Sequence, residues 1–170
     1  MKKQDFVNKF YVPAKASQGK TGIPALANLA QAAVESAWGE VCPGNMLFGV
    51  KDTDGINGNE QLLTTTEYSK SATAKFPNII SVTPVVRNGQ KWFKYKIKDY
   101  FRKYNTLEEC FTDHAQFYIK NKRYAKALLV KNDPYQFIDE IAKAGYATDP
   151  NYAQLLKGIA KDLEKYIPKL

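Results

Sequence analysis

AQAAVESAWGE, residues Ala30–Glu40, is the stretch on which the reading of this chain turns. Most of it is small and apolar, as a helix packed closely against its neighbours requires. It nevertheless carries Gln31 and Glu35 in its body and Trp38 and Gly39 at its end. At helical spacing Gln31 stands four residues before Glu35 and Trp38 three after it, so the three are predicted to share one face. Upstream, Thr21 suits a cap and Pro24 suits the first turn of this helix. Downstream, Gly39 suits a C-terminal stop, which puts the predicted end of the helix at Trp38.

Working outward, Phe6, Val7, Phe10, Tyr11 and Ala14 recur at helical spacing between Asp5 and about Ser17. Gly, Asn, Asp and Pro crowd residues 43–59, which read as loop. QLLTTTEYS (61–69) has the threonine and tyrosine content of a strand. NIISVTPVVRNGQKWFKYKIKDYF (78–101) carries a strong hairpin signal, with Asn88-Gly89 as its two-residue turn. After that turn Phe93, Tyr95 and Ile97 alternate with Lys94, Lys96 and Lys98, giving one buried and one wet face. Thr106 and Glu109 form a capping-box pattern ahead of Leu107, Cys110, Phe111, His114 and Phe117. Asp133-Pro134 opens a helix that Gly145 ends, and Asp149-Pro150 opens the last. The pattern predicts a single domain over residues 1–170. It is of α+β class and mainly helical, with a small β-hairpin lobe at about 60–100 beside a cleft.

Composition narrows the classes. Hydrophobic residues at 44% and charged residues at 25% describe a globular chain and argue against disorder. The formal net charge of +8 favours polyanionic partners. The lysines are spread along the sequence, so the expectation is a diffuse field and no nucleic-acid partner. No run is long enough for a membrane span, and no apolar leader follows the initial Met-Lys-Lys, so neither membrane insertion nor a signal peptide is expected. Two cysteines and one histidine are too few for a Cys/His zinc site, so no metal or cofactor is expected. Cys42 and Cys110 read as isolated thiols whose pairing spacing cannot decide, and His114 as a hydrogen-bonding core residue.

Glu35 carries the chemistry. A carboxyl group beside an indole and small apolar groups loses hydration, and its pKa rises. A carboxylic acid that keeps its proton near neutral pH can protonate a glycosidic oxygen. The competing reading is a solvated residue near a helix end. Glycosidases pair such an acid with a second carboxylate. Asp52, Asp54, Glu60 and Glu67 are candidates, and Glu67 stands out because a strand gives its side chain a fixed direction. A solvated strand-face glutamate is the competing reading there.

Taken in order, ESAWGE with NMLFG, TTTEY, DYFRKYNTLEECFTDHAQF and GYATDPNYA resemble the glucosaminidase domains of glycoside hydrolase family 73. The resemblance runs from about Asp5 to Leu163. It implies a lysozyme-like helical lobe and endo-β-N-acetylglucosaminidase activity on the bond between N-acetylglucosamine and N-acetylmuramic acid in peptidoglycan. It implies Glu35 as general acid, Glu67 as second carboxylate and Tyr146 as assisting tyrosine, with Tyr152 competing for that role. Gln31, already placed beside Glu35 by spacing, is taken as substrate-binding, and Trp38, Asn45, Phe48 and Tyr68 fall in blocks that line the groove. The partner implied is the peptidoglycan glycan strand, met by a monomer at the bacterial cell wall. A muramidase or lytic transglycosylase on the same polymer, or a non-catalytic wall-binding module, are the alternatives. The stretch from about Ser69 to Gln90 is longer than the link expected from the family pattern and is expected to extend the β-lobe.

Overall fold

The computed structural model describes residues 1–168. The elements run α1 (Lys3–Thr21), α2 (Ala25–Glu35), β1 (Glu60–Ser69), β2 (Ile79–Arg87), β3 (Gln90–Arg102), α3 (Leu107–Lys120), α4 (Ala125–Leu129), α5 (Pro134–Lys143) and α6 (Tyr152–Leu163). They form two compact units. The helical unit comprises Met1–Phe48 and the chain from Tyr104 onward, and the β-unit comprises Gly49–Lys103.

In the helical unit α2 is buried along almost its whole length. Its alanines let neighbouring helices approach closely, so it serves two apolar clusters. Ile23, Ala27 and Ala30 pack with Ala115 and Tyr118 of α3, Phe137 and Ile141 of α5, and Leu156 of α6. Leu29, Ala32 and Ala33 pack with Phe6, Phe10 and Ala14 of α1 and with Phe111 and Leu163. Two of the predicted caps form where the rules put them, but Thr21 is the last residue of α1 and does not cap α2, whose N-cap position is Pro24, and α6 starts at Tyr152 without a side-chain cap. The Thr106 hydroxyl accepts from the Glu109 N–H (3.1 Å), while the Glu109 carboxylate reaches back to the Thr106 N–H. Asp133 accepts from the N–H groups of Tyr135 and Gln136.

The end of α2 departs from expectation. The helix stops at Glu35, not Trp38. The buried Ser36 hydroxyl donates to the Ala32 carbonyl (2.5 Å) and accepts from the Gly39 N–H (2.8 Å), replacing the ladder that would continue the helix. Ala37, Trp38 and Gly39 then adopt φ of 49°, 59° and 77°. A left-handed conformation costs a non-glycine residue about 1–2 kcal/mol, so tertiary contacts must sustain this turn. Trp38 therefore does not continue the helical face of Gln31 and Glu35. Its indole packs edge-on to Phe6 (5.5 Å), with the Lys3 ammonium 5.5 Å over the ring.

In the β-unit the strands are antiparallel in the order β1-β3-β2. Asn88 and Gly89 turn the β2–β3 hairpin with φ of 50° and 72°, as the two-residue turn requires. The strand expected over 61–69 forms as β1 and pairs on the far side of β3 from the hairpin. The long 69–90 stretch supplies β2 and a connection pinned over Tyr95, whose hydroxyl donates to the Ser71 carbonyl (2.8 Å) and accepts from the Ala74 N–H (3.0 Å). Directly paired residues share a face, so Glu67 stands with Tyr95 and Thr65 with Ile97, while Tyr68 stands with Lys94 on the other side.

Gly39 combines a positive φ with a tight approach: a Cβ there would lie 2.5 Å from a ring carbon of Phe10. Gly39→Ala is expected to cost about 2–4 kcal/mol, the sum of backbone strain and overpacking. Urea denaturation checks this, and a change below about 0.5 kcal/mol would contradict the close approach.

Candidate active site

Glu35 is the last residue of α2, with the most buried helix of the fold behind it. Its side chain is exposed at the surface, yet enough protein crowds the carboxyl to raise its pKa above the ordinary carboxylate range through lost hydration. The helix C-terminus, with its partial negative charge, adds to the preference for the neutral acid. The environment differs from the expected one. Crowding comes without full burial, so the carboxyl is biased toward its neutral form and can still be reached.

One turn earlier, Gln31 is completely buried and acts as a junction. Its Oε1 accepts from the Tyr118 hydroxyl (2.8 Å) and lies 3.1 Å from His114 Nε2, while its Nε2 donates to the Tyr152 hydroxyl (3.2 Å). Expected to touch substrate, Gln31 instead ties α2 to α3 and α6. His114, as expected, is a core hydrogen-bonding residue. Burial lowers its pKa to about 3, so it stays neutral, and its ring stacks on Phe48 at 3.7 Å.

Tyr146 follows the Schellman-type end of α5. The N–H groups of Gly145 and Tyr146 donate to the carbonyls of Ala142 and Ile141, and Gly145 takes φ 79°. The half-buried Tyr146 ring stacks on Tyr152 (5.6 Å) and meets His114 edge-on (6.2 Å). Burial holds the Tyr146 hydroxyl well above its usual range and pushes Tyr152 up to about 12, and the Glu35 carboxylate contributes to both shifts. Glu35, Tyr146 and Tyr152 are thus within electrostatic reach of one another. Both phenols are neutral hydrogen-bond donors at ordinary pH. Tyr152 is buried with its hydroxyl committed to Gln31, which leaves Tyr146 as the more accessible of the two competing tyrosines.

The remaining predicted residues have mixed placements. Asn45, with φ 57°, donates through Nδ2 to the carbonyls of Tyr104 (3.0 Å) and Asn105 (3.3 Å), so it ties the 43–45 turn to the start of α3. Phe48 is half-buried against His114 and Phe111. In the β-unit, Glu67 pairs with Lys51 (3.2 Å), whose ammonium also meets Asp99 (2.9 Å). That pairing, with Asp99 the larger cause, raises the Lys51 pKa. Tyr68 lies on the opposite face of β1 from Glu67, so the two cannot line one surface of the sheet. Cys42 and Cys110 are free thiols, and burial raises both, Cys110 to about 12. Sequence reasoning missed Tyr118, Lys51 and Asp99 as partners, because each meets its group only through the fold.

Comparisons with known proteins follow this geometry. A sequence model of the glucosaminidase family, described as mannosyl-glycoprotein endo-beta-N-acetylglucosaminidase, matches residues 12–165. The chain is 32% identical over 174 residues to the peptidoglycan hydrolase FlgJ of Salmonella typhimurium, covering 98% of this chain and 48% of that protein. It is 30% identical over 147 residues to the exo-glucosaminidase LytG of Bacillus subtilis, covering 81% and 44%. The chain therefore spans about half the length of the curated relatives it matches. Among solved structures, a C-terminally truncated glycoside hydrolase domain of Salmonella typhimurium FlgJ superposes with TM-score 0.70 at 31% identity, covering 96% of this chain and 99% of that one. The catalytic domain of the autolysin Auto from Listeria monocytogenes gives 0.69 at 25% identity, covering 97% and 87%.

Two outcomes test the buried network. Gln31→Leu strands the Tyr118 hydroxyl, His114 and the Tyr152 hydroxyl, and is expected to lower stability by about 2–4 kcal/mol in urea denaturation. For His114 the folded pKa is about 3, against an ordinary value of 6.5. Between these values the unfolded chain holds a proton that the folded chain lacks. Stability should therefore fall as pH drops from about 6.5 toward 3, by about 1.4 kcal/mol per pH unit from this group. His114→Gln should flatten that slope.

Proposed function

The chain belongs to the glucosaminidase family, and from that membership we propose that it is a peptidoglycan hydrolase, an endo-β-N-acetylglucosaminidase. It cleaves the β-1,4 bond between N-acetylglucosamine and N-acetylmuramic acid. The observation that carries this reading is Glu35, a crowded but reachable carboxyl whose proton is held by lost hydration. Glu35 donates that proton to the bridging oxygen as the bond to the anomeric carbon breaks. Glu67 supplies the second carboxylate, offsetting the positive charge that develops on the sugar or taking a proton from the attacking water. Tyr146, kept neutral by burial, is a hydrogen-bond donor for the acetamido group of the reacting sugar. The enzyme works as a monomer at the bacterial cell wall. The names of the FlgJ and LytG relatives support the substrate and the bond class.

Digestion of purified peptidoglycan with mass spectrometry of the fragments tests the reading. Reducing-end N-acetylglucosamine on internal fragments is expected. Reducing-end or anhydro N-acetylmuramic acid would make the chain a muramidase or transglycosylase, and release of single terminal sugars would make it an exo-enzyme. Glu35→Gln should lower the rate by about 10³-fold or more while leaving the melting temperature within a few degrees, whereas Glu67→Gln should cost roughly 10–10²-fold. The acid form of Glu35 is the active one and its pKa is raised, so the rate should fall as pH rises through that pKa, above the ordinary carboxylate range. Full activity in Glu35→Gln would overturn the assignment.

A further inference from the structure

Charge is unevenly divided along the chain. Residues 49–103 carry ten lysines and arginines against five aspartates and glutamates, which leaves +5 of the total +8 on the smaller unit. The sheet divides it further. Lys94, Lys96 and Lys98 project from one face of the central strand, at intervals of about 6.6–6.8 Å. Cross-strand pairing places Thr66, Tyr68, Ser81 and Thr83 beside them, and Val85 beside Trp92. Arg87 leans over Tyr68 (4.1 Å) and Trp92 (5.7 Å), and Lys70 over Trp92 (5.5 Å), so these cations belong to the same face. The carboxylates of Glu67 and Asp99 lie on the other face, held by Lys51. Glu60, at the far end of β1, is occupied by the N–H groups of Asn57 and Gly58. Among the described residues no carboxylate pairs with Lys94, Lys96, Lys98 or Arg87. Five of the 25 lysines and arginines thus meet on one face of the sheet, a concentration that spacing along the sequence does not show.

We propose that this face is a docking surface for a polyol-phosphate polymer of the bacterial wall, separate from the face that carries Glu67. A regular row of unpaired ammonium groups fits a chain whose anionic groups recur at short intervals. Arg87, held by two rings, adds a preorganised fork for a phosphate. The rings argue against single-stranded nucleic acid, which needs open aromatic faces on which bases stack. Here the cations already cover Tyr68 and Trp92. The choice of a wall polymer over other phosphodiester chains rests on the peptidoglycan-hydrolase reading.

Fluorescence anisotropy with labelled poly(glycerol phosphate), a single-stranded oligonucleotide of equal phosphate number and a neutral chitin oligomer tests it on the full chain. Poly(glycerol phosphate) is expected to bind at low salt and weaken steeply as salt rises. Lys94→Gln/Lys96→Gln/Lys98→Gln should weaken binding at least tenfold and flatten the salt dependence. The matching Lys→Arg triple variant should retain binding, which separates charge from folding. Hydrolysis of a soluble, phosphate-free glycan should be unchanged in the Gln variant. Equal binding by parent and Gln variant, or tighter binding of the oligonucleotide, would overturn the proposal while leaving the hydrolase reading standing. Absence of hydrolysis in the parent would overturn that reading alone.

Discussion

A single buried amide fixes the register of the helical unit. The α2 surface is mostly alanine, and a row of equal small side chains offers little to stop one helix sliding past another. Gln31 removes that freedom. Its Oε1 uses both lone pairs, on the Tyr118 hydroxyl and on His114, and its Nε2 takes the Tyr152 hydroxyl. In a low-dielectric interior each unmade bond is costly, so only one axial position of α2 satisfies all three partners. Glu35, four residues on, inherits that position. The tyrosine block that faces it is located by the same amide.

The turn after Glu35 completes the arrangement. A continued helix would have carried the backbone straight on past Glu35. Ser36 instead ends the ladder, and three left-handed residues carry the chain away, with Gly39 against Phe10 and Trp38 against Phe6. The carboxyl is left at a helix end, short of hydration but open to an incoming molecule. The strain of Ala37 and Trp38 is thus the counterpart of an accessible acid.

Local rules made much of this legible. The Thr106–Glu109 box, the Asp133-Pro134 start and the Asn88-Gly89 turn each involve residues a few positions apart, and all three formed as expected. The alternation after Gly89 correctly gave a wet and a buried face. Long-range facts were not legible. The partners of Gln31 lie 83, 87 and 121 residues away, so spacing assigned it to substrate. The stop at Glu35 depends on Phe6 and Phe10, and a glycine rule alone put it at Gly39. Tyr68 falls with Glu67 in the TTTEY block that the resemblance assigns to the groove, although adjacency in a strand sends the two to opposite sides.

β3 is the central strand, paired on both edges over residues 93–97, and both properties of the sheet are written in its odd and even positions. Tyr95, Ile97 and Phe101 close the interior, and Lys94, Lys96 and Lys98 charge the exterior. Inserting or deleting one residue within this strand would exchange the two sets, burying ammonium groups and exposing rings. Length changes here are therefore tolerable only by even numbers, so the sequence of this strand can drift by substitution far more readily than by insertion or deletion.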